Sequence, residues 1–75
     1  MKYSLVGING NAFCVMGYVV DAMRNCKFSR SEISDYYKEA TSGNYNHLLS
    51  VSVAMIDKCN DRERKLSKVI YDWLV

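Results

Sequence analysis

Asn9–Cys26, NGNAFCVMGYVVDAMRNC, is the stretch on which the fold turns. Wound as a helix at about 100° per residue, it puts Phe13, Met16, Val20 and Met23 on one side, and Ala12, Val15, Val19, Ala22 and Cys26 extend that side. The apolar arc covers about half the circumference, against roughly 100° for an ordinary surface helix. One neighbour cannot cover so wide an arc. The other segments are therefore expected to gather around this helix, with Phe13, Met16 and Val20 in the core. Asn11 stands where an N-cap belongs. Gly17, in mid-helix, costs about 1 kcal/mol relative to alanine; it either lets another helix approach closely or is simply tolerated.

Upstream, Lys2–Ile8 alternates loosely and runs into the turn dipeptide Asn9-Gly10. Lys2–Val6 reads as a short strand. No other segment offers it a partner, so it is either an extended arm or it pairs with the same strand of a second molecule. Downstream, Ser29 and Glu32 have capping-box spacing, with Phe28 and Ile33 at the flanking staple positions. A second helix follows, with Ile33, Tyr36, Tyr37 and Ala40 on its apolar face. It is expected to stop at Gly43 in the left-handed conformation, and Asn44 can cap the next helix at once.

From Tyr45 to Cys59 a helical side of Tyr45, Leu48, Leu49, Met55, Ile56 and Cys59 outweighs a brief strand-like alternation at Ser50–Met55. Leu66, Val69, Ile70, Trp73 and Leu74 repeat as one apolar stripe to the C-terminus. Asn60 with Glu63 has the spacing of a further capping box. That leaves open whether one helix breaks there or runs through. The expected fold is mainly α: a small bundle of three to four helices with a short N-terminal strand or extended arm, in a single domain over residues 1–75.

With 49% hydrophobic and 24% charged residues, the composition is that of a folded chain rather than a disordered one. A core of this size rarely supplies more than about 3–5 kcal/mol, so small chains lean on disulfides, metals or other chains. Cys14, Cys26 and Cys59 are an odd set without a CxxC pair. The apolar run Ala12–Val20 is neither placed like a leader nor long enough to span a membrane. A cytoplasmic protein with reduced thiols is expected, and no membrane partner.

The net charge of +2 argues for no particular partner, but it divides as +3 over residues 1–30, −3 over 31–57 and +2 over 58–75. Such alternation can orient two copies or a partner. Enzymatic chemistry finds little support. His47 is the only histidine, so one chain offers one imidazole to a metal. Cys59 lies on the apolar face of a helix from which His47 points away. Glu32, Asp35 and Glu39 read as a solvated face beside Lys38. Asn9-Gly10-Asn11 ahead of a helix could greet an anion, yet no GxGxxG or Walker lysine accompanies it. No catalytic residue, metal or cofactor is assigned. Arg62, Arg64, Lys65 and Lys68 form a basic helix side that could lie on a nucleic-acid backbone, diluted by Asp61, Glu63 and Asp72.

Two segments, Gly10-Asn11-Ala12-Phe13 with Met16-Gly17 and Ala40-Thr41-Ser42-Gly43-Asn44-Tyr45-Asn46-His47-Leu48-Leu49, resemble a family of short uncharacterised bacterial and phage proteins. Those proteins carry GNAF…MG and, after a helix, SGxYxHLL. The resemblance implies no activity and no functional residues. The resembling chains usually end soon after the HLL helix, whereas Asp57–Val75 continues here. Packing alone does not demand Asn11, Asn44, Tyr45, Asn46 and His47, so these five form the candidate interaction patch if the two helix starts lie together. The expected function is a non-enzymatic protein-interaction module, a homodimer with an unknown protein partner; a small nucleic-acid-binding protein is the alternative.

Overall fold

The computed structural model describes residues 2–74, with side chains through Lys65. Helix α1 spans Ala12–Asn25, α2 spans Arg30–Ala40 and α3 spans Tyr45–Leu74. At about 1.5 Å per residue, the 30 residues of α3 account for the 47 Å long dimension of the molecule. Both shorter helices lie along it and touch each other less. The helix that organises the chain is therefore α3, not the greasy N-proximal one. Asn60 does not break α3, because its side chain is used elsewhere. The stripe from Leu66 to Leu74, including Trp73, lies outside the described side chains.

The core holds Val15, Met16, Val19, Ala22, Met23 and Cys26 against Tyr36, Ala40, Leu48, Ile56 and Cys59. Phe13 is not part of it: 76% of its surface is exposed. The reason is a count of neighbours. With two helices rather than three around α1, they cover the side bearing Val15, Val19, Ala22 and Cys26, and Phe13 sits about 150° round the helix from that side. In the middle of the core the Tyr36 hydroxyl and Ser52 Oγ are 2.8 Å apart, both buried. Burial pushes the Tyr36 phenol up, and the Ser52 hydrogen bond pulls the other way.

No strand occurs among the described residues. Lys2–Val6 is an arm, and side chains of the helices bond its backbone at Tyr3 and Ser4. Asn60 Oδ1 accepts the Tyr3 N–H at 2.8 Å, and Asn60 Nδ2 donates to the Tyr3 carbonyl at 2.9 Å. The Ser4 N–H donates to the Tyr18 hydroxyl at 3.0 Å. One carboxamide thus stands in for a rung of sheet, which removes the need for strand pairing between molecules at Tyr3. The turn also falls earlier than Asn9-Gly10. Ile8 N–H donates to the Leu5 carbonyl at 3.2 Å, with Gly7 at φ 83°, the i+2 conformation of a type II turn.

The α1–α2 corner follows from its caps. Phe28 N–H reaches the Met23 carbonyl and Lys27 N–H the Arg24 carbonyl, the two bonds of a Schellman motif. The next residue, Ser29, opens α2: Glu32 N–H donates to Ser29 Oγ at 3.1 Å, and Ser29 N–H donates to Glu32 Oε1 at 2.9 Å. The Ser29 N–H donating to the carboxylate is the leading cause that holds the Glu32 carboxyl below its ordinary value. Lys27 occupies the left-handed position of the motif at φ 65°, where a Cβ is costly. Lys27→Gly is therefore expected to stabilise the protein by about 0.5–1 kcal/mol, read as a shift of the urea midpoint at constant slope. A loss of stability would contradict the strain.

Candidate functional site

The polar corner anticipated from the two motifs does form. Asn11 Oδ1 accepts the Phe13 N–H at 2.8 Å and caps α1. Asn44 Oδ1 accepts the His47 N–H at 3.0 Å and caps α3. The Tyr45 hydroxyl donates to the Gly10 carbonyl and ties the two helix starts together. His47 folds back onto the end of α2, its Nε2 3.0 Å from the Glu39 carbonyl, 3.2 Å from Glu39 Oε1 and 3.3 Å from Ser42 Oγ. Asn46 is exposed. Four of the five residues spend their polar groups on capping and corner-building, and Asn46 alone shows no such bond among the described contacts.

Gly43 belongs to the same corner for an unexpected reason. It does not take the left-handed conformation. A Cβ there would instead lie 3.0 Å from the His47 ring, tighter than ordinary contact. Thr41 Oγ1 and Ser42 Oγ close the end of α2 by donating to the Tyr37 and Glu39 carbonyls.

The basic side of α3 is used within the fold at Arg62, whereas Arg64 and Lys65 are exposed beside Asp61 on the same helix. The Arg62 guanidinium lies 3.8 Å from the centre of the Phe28 ring, and its Nη1 is 3.5 Å from the Cys26 carbonyl. Asp61 holds Lys65 at 3.2 Å and Arg64 at 4.0 Å. Lys68 lies outside the described side chains. A groove of 680 Å³ between α2 and α3 brings Asp35 and Glu39 opposite Lys58 over a floor of Tyr36, Val51 and Met55. Among the described residues no three His, Cys, Asp or Glu side chains gather as metal ligands.

A surface that the sequence reading placed in the core lies on the outer side of α1. Phe13, Gly17, Val20 and Arg24, with Met16, Asp21 and the Tyr37 ring from α2, line a shallow depression of 330 Å³. Phe13 and Tyr37 are the exposed apolar groups there, Val20 is partly buried, and a Cβ on Gly17 would meet nothing within 4 Å. The available signals were the apolar arc, too wide for a three-helix bundle to cover, and the mid-helix glycine. No helix among the described residues is long and apolar enough to cross a membrane. No family model, curated protein or solved structure matches the chain.

Proposed function

We propose that the protein is a non-enzymatic interaction module that works as a homodimer, in a reducing compartment such as the cytoplasm. The observation that carries this reading is the outward face of α1, where a phenylalanine with 76% of its surface exposed stands beside an open glycine. A side chain of this size in water forgoes about 1.5–3 kcal/mol of burial, a large sum beside the few kcal/mol that hold so small a domain. A second protein surface recovers it. The free thiols of Cys14, Cys26 and Cys59 fit a reducing setting. A role in nucleic-acid binding is the weaker reading, because Arg62 lies on the Phe28 ring and Asp61 beside Arg64 and Lys65 dilutes their positive charge.

Sedimentation equilibrium from micromolar to high micromolar concentration tests the reading. A reversible rise from monomer to dimer mass is expected, with helicity unchanged across the range. A single monomeric species throughout would overturn it.

A further inference from the structure

We propose that the dimer is made by α1 lying antiparallel against α1 of a second copy, with Phe13 of each chain under Arg24 of the other and Gly17 opposite Val20. The inference deepens the homodimeric reading and rests on it.

The order of residues along the exposed stripe points to this arrangement. Phe13, Gly17, Val20 and Arg24 follow one another at steps of four, three and four residues, and all four line the same depression. At 3.6 residues per turn these positions form one nearly straight row along the helix. The row reads the same in both directions. A two-fold axis crossing α1 between Tyr18 and Val19 therefore lays the row upon its own reverse, as an isologous interface requires.

Both oppositions within the row are complementary. The aromatic face of Phe13 meets a guanidinium, which its quadrupole attracts. The partly buried Val20 meets the one position without a side chain, where added atoms find open space. That notch allows the helix axes to approach to the short end of the usual 8–10 Å range. Tyr37, with 45% of its surface exposed, stands at the rim of the same depression and widens the covered area. The spacing is that of any stripe on a helix; what favours a second copy is that the reversed row sets a cation against Phe13 and an open glycine against Val20. A contact confined to helices of about 21 Å falls at the small end of interface sizes, below about 1,200 Å². Weak, reversible association is the behaviour expected of so small an interface.

Two single variants in a Cys14→Ser background, Phe13→Cys and Arg24→Cys, test the geometry. In the antiparallel pair the two copies of position 13 are about 16 Å apart along the axis, as are the two copies of position 24, too far for a disulfide. Position 13 of one chain lies against position 24 of the other. In the mixed dimer one native Phe13–Arg24 contact also survives. Under oxidised glutathione the equimolar mixture is expected to yield at least ten times more cross-linked dimer than either variant alone.

Gly17→Arg, which fills the notch without touching the monomer core, is expected to weaken the sedimentation dimer at least tenfold with helicity preserved. Cross-linking by Phe13→Cys alone, or a dimer indifferent to Gly17→Arg, would overturn the antiparallel arrangement while the homodimer stands. A wild-type chain that stays monomeric would overturn both.

Discussion

Asn60→Ala is expected to cost about 2–4 kcal/mol, most of what a domain of this size possesses, and to release the N-terminal arm. The Asn60 carboxamide makes both of its hydrogen bonds to one residue, accepting the Tyr3 N–H and donating to the Tyr3 carbonyl. These bonds are buried, and Asn60 itself is 8% exposed. Without it the arm has two courses. It can stay, leaving a buried N–H and C=O without partners at about 1–3 kcal/mol each. Or it can leave, forfeiting the burial of Tyr3, worth about 1.5–3 kcal/mol, together with two net hydrogen bonds.

Both courses converge on the same magnitude. Urea unfolding measures it, and hydrogen exchange at the Tyr3 amide tells which course is taken. A loss under 1 kcal/mol with that amide still protected would show that something else holds the arm. Lys2→Ala serves as the control: the Lys2 ammonium is 3.0 Å from Glu63 but well exposed, and an exposed ion pair adds little to stability. Among the described residues the Tyr3 hydroxyl, in contrast, is buried with no hydrogen-bond partner. Tyr3→Phe is expected to leave stability unchanged or raise it slightly, because a buried orphan is removed and the ring remains.

Thiol chemistry should separate the three cysteines by orders of magnitude. Cys14 is exposed, whereas Cys26 and Cys59 are sealed between α1 and α3, with Cys26 Sγ 3.3 Å from the Cys59 carbonyl. Burial, and then the neighbouring Cys26 thiol, push the Cys59 thiol up to about 12. Each unit above the ordinary thiol value lowers the reactive thiolate fraction about tenfold at neutral pH. With an aromatic disulfide reagent at pH 8, one thiol per chain should react in the first seconds. The other two should follow only at the rate of opening of the core. Prompt reaction of all three would refute the sealed pair.

The same shift sets an alkaline limit on stability. The folded state keeps the Cys59 proton after the unfolded chain has begun to lose it. Its contribution is therefore whole below about pH 8.5–9 and drains away as pH rises towards about 12. Burial raises Tyr3 and Tyr36 as well, so their contributions fall in the same direction. The melting temperature should drop above pH 9, less steeply in Cys59→Ala.

Local signals were legible in the residues because they are settled within one or two turns of chain. Ser29 and Glu32 answer each other's backbone across three positions, Asn11 and Asn44 start helices, and the periodicity from Tyr45 to Cys59 describes a helix. Gly43 is constrained otherwise than a helix-ending glycine in the left-handed conformation would be. The constraint comes from the His47 ring, four residues on, rather than from backbone handedness. The corner of Asn11, Asn44, Tyr45 and His47 assembled because Tyr45 spans from the start of α3 to Gly10, a contact that no spacing in the chain encodes.

By itself, then, the sequence determined the helical class, where α1 and α2 begin, and the capping that turns the chain between them. Those outcomes depend on groups a few residues apart, whose geometry the covalent chain already restricts. Tertiary structure alone decided which half of the wide apolar arc of α1 would be covered, that α3 would run past Asn60, and that Asn60 would hold the arm. Each of these depends on how many neighbours are present and how far they reach. Two helices can seal only part of a cylinder, so Phe13, apolar as any core residue, was left facing water.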